Sequence, residues 1–197
     1  MTAEELAQVP DRVEVVVVGL GLKGTAATWA LARRGHEVVA FDAHRAGHRY
    51  GSSHGSSHGS SRIFRRAYPE AEYVAMTGQA LELWRELERA AGATLLVTTG
   101  GLDHGRDHDP ATRRRMSDYV RRFWPGLDPE PVAERDCLYT WTSSQDFLVA
   151  RYGALVVCSA CSGHAAKFTP LIGEWLADLV ERRPLSAARL AQANATS

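Results

Sequence analysis

Cysteine is scarce in this sequence, whose 197 residues contain three, an odd number that offers no disulfide framework. No apolar run is long enough to cross a membrane, and residues 1–12 are acidic and polar, unlike a secretion signal. Neither sign of charge prevails, with 23 Lys and Arg against 23 Asp and Glu, so no basic surface for nucleic acid is indicated. These absences predict a soluble cytoplasmic protein with no nucleic-acid partner and no membrane contact. The hydrophobic content of 45% supports a sizeable core.

The most informative motif joins a strand pattern directly to a Gly-x-Gly-x-x-Gly turn in residues 13–24, VEVVVVGLGLKG. Val15 to Val18 form a β-branched apolar run, which predicts a strand covered on both faces. Gly19 allows a tight turn, and Gly21 lets the backbone approach a pyrophosphate. Gly24 lets the following helix pack closely against the strand.

The residues after the turn complete a βαβ unit. A helix over Lys23 to Arg34 would present its N-terminal amides to phosphates. A second strand, His36 to Phe41, ends at Asp42, whose carboxylate can accept hydrogen bonds from ribose hydroxyls. The sequence therefore predicts an α/β, Rossmann-like domain that binds an adenine dinucleotide. At this point FAD and NAD both remain open, since Asp42 serves either.

The remaining elements are predicted from periodicity and turn residues. In chain order they are a helix over Gln79–Ala91 with Leu81, Trp84 and Leu87 on one face and Gly92 at its end, a strand over Thr94–Thr98, a basic helix over Ala111–Trp124, strands near Cys137–Trp141 and over Leu155–Ser159, and a helix over Pro170–Arg182. Residues 142–153 are assigned to a connection. The segment from Pro184 is predicted to fray.

Two groups of residues are candidate metal or redox sites, and each has an ordinary alternative. The repeated Gly-Ser-Ser-His of residues 51–58 could form an anion or metal site, or simply lengthen a loop. Cys158 and Cys161 could form a redox pair or a metal site, or be two buried cysteines that act as small hydrophobes. No metal site is assigned.

Two further groups could bind an anion. Arg62, Arg65 and Arg66 offer guanidinium groups that match phosphates and carboxylates, or they form a solvated basic face. His164 and Lys167 are three residues apart, so on a helix they would share a face and could bind a carboxylate. Their alternative is an ordinary helix start with a solvated lysine.

Five segments in this order resemble the monomeric sarcosine oxidase and N-methyltryptophan oxidase family of FAD-dependent amine oxidases: GLGLKGTAATWALARRGHEVVAFD, GSSHGSSRIFRRAY, CLYTWT, SGHAAKF and LIGEWLADL. The resemblance implies a glutathione-reductase-like FAD-binding domain, and it extends over nearly all of the chain except the tail. The first segment would bind the ADP part of FAD. The cofactor residues that it implies are Gly19, Gly21, Gly24 and Asp42.

The later segments imply the rest of the site. Cys137, which opens CLYTWT, would carry the flavin through a thioether. By the same resemblance, Arg62 and Arg65 would face the flavin ring or a bound acid, and Tyr139 would lie near the substrate. Lys167 would hold the substrate carboxylate, with His164 close to the flavin. These implied catalytic residues are Arg62, Arg65, Tyr139, His164 and Lys167.

Members of the resembled family are longer, and the part that this chain lacks lies in their middle. The comparison implies an FAD-binding part in residues 1–100, a junction in 101–116, a return to the FAD domain in 117–183 and a disordered tail in 184–197, with the substrate domain largely absent. The family's oxygen-activating lysine has no counterpart. Alanines also stand at positions 150, 165 and 166, where the family commonly has an acid, a glycine and an aromatic residue.

The resemblance implies oxidation of a secondary amine, such as an N-methyl amino acid, by hydride transfer to flavin, with O2 reduced to H2O2. One alternative is a truncated remnant that binds FAD or a nucleotide with weak or no catalysis. Its exposed strand edges would favour self-association. A further alternative is an NAD-dependent dehydrogenase, which the glycine turn permits and the segments around Cys137 and His164 disfavour.

Overall fold

The computed structural model describes residues 9–44, 62–99, 113–130, 142–159 and 162–185. Two compact units are present, one of residues 1–97 and 138–197 and one of residues 98–137. The elements in chain order are β1 (Val15–Val18), α1 (Leu22–Arg33), β2 (Val38–Phe41), α2 (Ala71–Ala91), α3 (Arg113–Phe123), β3 (Leu148–Tyr152), β4 (Leu155–Ser159), a 3₁₀ turn (Ala165–Phe168) and α4 (Thr169–Val180). Within those ranges, no helix has both the length and the apolar character needed to cross a bilayer.

The predicted βαβ unit is present. β1 and β2 pair in parallel, with Val15 opposite Val38, and α1 connects them. β2 begins two residues later than predicted because the chain first has to end the helix. Gly35 adopts a left-handed φ of 91°, and the N–H of His36 donates to the carbonyl of Leu31 at 3.1 Å. Residues 35 and 36 therefore belong to the helix termination.

β1 is buried on one face only, so the prediction of a strand covered on both faces is wrong. Val16 is 53% exposed and Val18 is 85% exposed. Their neighbours Val15 and Val17 pack against residues of α1, β2 and α4, namely Ala30, Leu31, Val38, Ala177 and Val180. Because α1 and α4 cover the same face of β1, its second face stays open. A β-branched run predicts a strand, but tertiary packing decides how many of its faces are covered.

α2 begins at Ala71, eight residues before the predicted start at Gln79. Its buried residues are Tyr73, Met76, Thr77 and Ala80, which share one face at helical spacing. Gly78 in the middle of this helix weakened the sequence pattern, since glycine is a poor helix former. The predicted end is confirmed, because Gly92 caps the helix with a φ of 61°.

The prediction of a strand over Thr94–Thr98 is wrong, because these residues belong to no strand in the part of the chain that the structure describes. The carboxylate of Glu88 accepts hydrogen bonds from the N–H groups of Leu95 and Leu96 at 2.8 and 2.9 Å. Arg85 donates to the carbonyl of Leu96 at 3.1 Å. Side chains of α2 thus occupy the backbone groups that a strand would use. The N–H of Leu96, a hydrogen bond from Arg85 and the N–H of Leu95 lower the pKa of Glu88 to about 2.

A hairpin replaces the predicted connection over residues 142–153. β3 pairs antiparallel with β4, with Tyr152 opposite Leu155 across a turn that contains Gly153 at a φ of 60°. The prediction of a strand over Leu155–Ser159 is confirmed. Arg151 in β3 donates to the carbonyls of Leu179 and Val180 at 2.8 and 3.1 Å, and so caps the C-terminal end of α4.

α1 and α4 pack against each other at very close range. A methyl group added to Gly173 of α4 would lie 2.6 Å from the carbonyl oxygen of Ala26 in α1. One residue after α1, Arg34 forms salt bridges with Glu174, Asp178 and Glu181 at 2.5 to 2.8 Å. A small residue and a shared cation thus hold α1 and α4 together.

His36 provides a pH-dependent contribution to this packing. Its ring contacts carboxylate oxygens of Glu181 and Glu14 at 3.1 and 2.7 Å, and these contacts raise the pKa of His36 above its usual value. A raised pKa in the folded protein means that the stabilisation is complete below pH 6.5 and is lost as the pH rises through the folded value. We expect the urea midpoint of the wild type to exceed that of His36→Gln most at pH 6 and least at pH 9. A midpoint difference that stays constant with pH would contradict this role.

The unit of residues 98–137 contains α3, which lies inside the predicted helix 111–124. The hydroxyl of Ser117 donates to the carbonyl of Pro129 at 2.8 Å. Several sequence predictions lie outside the described residues: the Gly-Ser-Ser-His repeat of 51–58, most of the junction 101–116, the strand near Cys137–Trp141, Cys161, and the tail beyond residue 185.

Candidate functional site

The glycine turn has the conformation that its sequence predicts. Gly19 has a φ of 93°, and its N–H donates to the carbonyl of Phe41 at 2.7 Å. A methyl group at Gly24 would lie 1.7 Å from the carbonyl oxygen of Gly19 and 3.5 Å from a side-chain methyl of Val17. Only glycine lets α1 approach the turn this closely.

Asp42 follows β2 and lies beside the glycine turn. One of its carboxylate oxygens accepts a hydrogen bond from the N–H of Leu20 at 2.5 Å, and the other accepts from the N–H of His44 at 2.9 Å. The N-terminus of α1 at Gly21 has no side-chain cap and no acidic residue in its first turn. No acidic side chain within the first turn of α1 therefore neutralises the positive end of its helix dipole.

A cavity of about 350 Å³ borders the same turn. Its lining is mainly apolar and comes from the turn, α1, α2 and the start of α4. The lining residues are Leu20, Gly21, Leu22, Thr25, Ala26, Trp29, Trp84, Leu87, Thr169 and Pro170. A space of this size with a few polar groups at its edge has the usual character of a small-molecule site.

A second group of polar residues surrounds Lys167 in the 3₁₀ turn before α4. Lys167 is 7% exposed, so the alternative of a solvated lysine is wrong. Its Nζ donates to the hydroxyl of Tyr68 and to the carbonyl of His164, both at 2.8 Å. The indole N–H of Trp84 donates to the carbonyl of Lys167 at 2.8 Å and fixes the backbone of the turn.

His164 lies beside Lys167, as predicted, among aromatic rings. Ring centroids of Tyr73 and Phe147 are 5.1 and 5.0 Å from the imidazole. Nδ1 of His164 is 3.5 Å from the hydroxyl of Tyr68, and Nε2 is 3.5 Å from the carbonyl of Gln145. Gln145 adopts a left-handed φ of 61°, an uncommon conformation for a residue other than glycine.

The electrostatics of this cluster favour a bound anion. Burial, with a smaller contribution from the charge of Arg65, lowers the pKa of Lys167 to about 8. Burial also lowers the pKa of His164, and the charges of Lys167 and Arg65 act in the same direction. An anion between these cations would relieve the repulsion that destabilises their charged forms.

Arg65 and Arg62 are exposed and lie on the segment before α2. The guanidinium carbon of Arg65 lies 5.3 Å from the centroid of the Tyr68 ring, which also has Lys167 Nζ at 5.4 Å. The structure thus associates Arg65 with the lysine cluster. Two predicted site residues, Cys137 and Tyr139, lie outside the described residues.

Sequence reasoning missed several residues of this cluster. Tyr68 and Trp84 contact Lys167 through their hydroxyl and indole N–H groups. Asp146 accepts a hydrogen bond from the hydroxyl of Tyr73 at 3.1 Å. Only Tyr68 carried a signal, because it follows three arginines closely. Cys158 lies on β4 opposite Val149. Among the residues described, no cluster of three or more His, Cys, Asp or Glu could hold a metal ion.

The model of the family described as "DAO: FAD dependent oxidoreductase" matches residues 14–118, from β1 into α3. The chain belongs to this family. The matched region contains the glycine turn, Asp42, Arg62, Arg65 and Tyr68. Because the family is FAD-dependent, the match favours FAD over NAD as the dinucleotide that the turn predicts.

The curated relatives are sarcosine oxidases, which confirms the resemblance found in the sequence. Monomeric sarcosine oxidase from Bacillus sp. strain B-0618 is 32% identical over 134 residues, which are 58% of this chain and 32% of the relative. Human peroxisomal sarcosine oxidase is 34% identical over 91 residues, 39% of this chain and 23% of the relative. The chain thus matches about a quarter to a third of the length of these relatives.

A solved structure of NikD, an unusual amino acid oxidase essential for nikkomycin biosynthesis, in its open form, is similar to 85% of this chain and 41% of its own chain. The TM-score of this superposition is 0.41 and the sequence identity is 22%.

Proposed function

We propose that this member of the FAD-dependent oxidoreductase family binds FAD at the glycine turn and oxidises a secondary amine that carries a carboxylate, such as an N-methyl amino acid. The observation that carries the proposal is the approach of Gly24 to the carbonyl of Gly19, where a methyl group would lie 1.7 Å from that oxygen. Such a closed turn at an uncapped helix N-terminus fits a pyrophosphate. Gly19, Gly21 and Gly24 would form the turn, and the carboxylate of Asp42 would accept hydrogen bonds from the ribose hydroxyls.

When bound, FAD would supply the redox chemistry, the two-electron oxidation of the amine to an imine with O2 reduced to H2O2. The protein's own contribution is orientation and electrostatics. In this proposal Lys167 and Arg65 bind the substrate carboxylate, and His164 adds a neutral polar group beside them. Their support is the burial of Lys167, which is the main cause of its lowered pKa, and the smaller repulsion from Arg65. Arg62 and Tyr139 keep the roles that the sequence resemblance implies for them.

The first experiment is a visible spectrum of the purified protein, recorded before and after addition of FAD. A flavin spectrum, followed by peroxide release with N-methyl amino acids, is the expected result. A colourless protein that takes up no added FAD would reject the proposal. In this proposal the protein's reaction partners are an amine substrate and O2.

Covalent attachment of the flavin through Cys137 is a separate proposal, which rests on the CLYTWT segment. After acid denaturation, the flavin of the wild type should remain yellow in the pellet. Cys137→Ser should release it to the supernatant, because serine cannot form the thioether. Cys158→Ser is the control and should keep the yellow pellet. Flavin in the wild-type supernatant would contradict the covalent link and leave the binding proposal intact.

A second candidate function is nucleotide binding without catalysis. It is favoured by the open face of β1, where Val16 and Val18 are exposed beside the glycine turn. Exposed apolar strand residues also favour self-association. This candidate predicts flavin uptake without peroxide release, and a molecular mass in solution above that of one chain.

A further inference from the structure

Tyr68 contacts both Lys167 and His164 through its hydroxyl oxygen. Its hydroxyl oxygen accepts a hydrogen bond from Lys167 Nζ at 2.8 Å and lies 3.5 Å from Nδ1 of His164. Its ring stacks on Tyr73 with centroids 5.2 Å apart and lies 6.1 Å from the ring of Phe168. The ring is therefore held by packing, and the hydroxyl is placed by the ring.

With Lys167 charged and His164 neutral, the hydrogen bonds of this cluster have one consistent direction of donation. An ammonium has no acceptor, so Lys167 must donate to Tyr68 and to the carbonyl of His164. The phenol proton is then directed to Nδ1 of His164. A neutral imidazole that accepts at Nδ1 carries its proton on Nε2, which lies 3.5 Å from the carbonyl oxygen of Gln145. Donation runs from Lys167 through Tyr68 and His164 to Gln145.

We propose that Tyr68 is a positioning residue: its hydroxyl fixes the ammonium of Lys167 for an anionic ligand and selects the His164 tautomer with its proton on Nε2. This inference rests on the proposed function, in which Lys167 binds a carboxylate. Tyr68 itself need not touch that ligand. It orients the donor and stabilises the charged form of the lysine, since a hydrogen bond to an ammonium favours protonation.

Other charged groups lie near these hydrogen bonds, on the segments that pack against Tyr68 and His164. Arg65 lies over the Tyr68 ring and opposes the charge of Lys167. Asp146 acts on His164 in the opposite sense to Lys167. Glu70 acts on Tyr68, whose pKa is raised mainly by burial. Tyr68 also forms a side-chain hydrogen bond with Arg65, and Tyr73 forms one with Asp146, so each variant compared below alters one of these neighbours.

The test uses Tyr68→Phe, which keeps the packed ring and removes the hydroxyl. Lys23 and Lys167 are the only lysines in the sequence, so a protein labelled with 15N or 13C at lysine gives two side-chain signals. We expect the Lys167 signal to titrate at lower pH in Tyr68→Phe than in the wild type. Trace acetylation of Lys167 at pH 7 should be roughly five- to tenfold faster in Tyr68→Phe than in the wild type. Mass spectrometry measures it, with Lys23 of the same protein as the internal reference.

Tyr73→Phe is the matched control, because it removes a hydroxyl from the stacked ring in the same aromatic cluster. That hydroxyl donates to Asp146 and not to Lys167. Its Lys167 titration should match the wild type. An unchanged Lys167 titration in Tyr68→Phe would overturn the inference. If Tyr68→Phe does not fold, 15N shifts of His164 in the wild type decide, because a proton on Nδ1 overturns the assignment and a proton on Nε2 supports it.

Acetate binding separates this inference from the proposed function. With flavin bound, the acetate dissociation constant should rise roughly five- to tenfold in Tyr68→Phe and remain unchanged in Tyr73→Phe. Equal acetate affinity in the wild type and Tyr68→Phe would reject the positioning role while the proposed function stands. A wild type that binds neither FAD nor acetate, but in which the Lys167 titration still depends on Tyr68, would reject the proposed function and keep the hydrogen-bond assignment.

Discussion

A Gly24→Ala variant is expected to lose FAD binding and about 3 kcal/mol of its free energy of unfolding. The added methyl group would lie 1.7 Å from the carbonyl oxygen of Gly19 and 2.9 Å from its carbonyl carbon. Both are backbone atoms, so no side-chain rotation can relieve the overlap. α1 must move away from the turn, and its N-terminal amides then no longer converge on one phosphate.

The measurement is a titration with FAD followed by flavin fluorescence, together with urea unfolding. We expect the dissociation constant to rise at least about 100-fold, which corresponds to about 2.7 kcal/mol. Gly78→Ala is the control: it lies inside α2, and nothing lies within 4 Å of an added methyl group. The control should bind FAD as the wild type does. Wild-type affinity in Gly24→Ala would show that the dinucleotide does not depend on this turn.

A Gly173→Ala variant is expected to lose about 2 kcal/mol of stability through the contact of α4 with α1. The new methyl group would lie 2.6 Å from the carbonyl oxygen and 2.9 Å from the Cβ of Ala26. Overpacking of this kind costs about 1–3 kcal/mol, and the higher helix propensity of alanine recovers up to about 1 kcal/mol.

Thermal unfolding measures this effect, and for a chain of this size 2 kcal/mol corresponds to a fall in Tm of about 4–8 °C. Gly78→Ala serves again as the matched control, with the opposite sign, because alanine in an unobstructed helix position stabilises by about 0.5–1 kcal/mol. If both variants gained stability, the close approach of α1 and α4 at Gly173 would be wrong.

The part of the fold that follows local rules could be predicted from the sequence. A strand, a turn with a left-handed glycine and a helix that starts at an uncapped glycine each depend on neighbouring residues, so β1, Gly19 and α1 were found within one residue. The proximity of His164 and Lys167 was found for the same reason, since three residues separate them. Local spacing suffices where the contact itself is local.

The features that escaped prediction depend on distant residues. The exposure of Val18 depends on which face α1 and α4 cover, and periodicity within β1 does not carry that information. Residues 94–98 have the composition of a strand, yet Glu88 uses their N–H groups. Tyr68 joins the lysine cluster across a separation of 99 residues. Tertiary contacts override propensity in each case.

The salt bridges of Arg34 have a consequence for the order in which the protein folds. Arg34 and Glu174 are separated by 140 residues, and Ala177 of α4 shares a cluster with Ala30 and Leu31 of α1. The part of α1 that packs on α4 therefore stays uncovered until α4 has left the ribosome, on the order of ten seconds after α1 at usual synthesis rates. Closure of such a long loop is also intrinsically slow. During this interval the exposed apolar surface of α1 makes the nascent chain prone to aggregation.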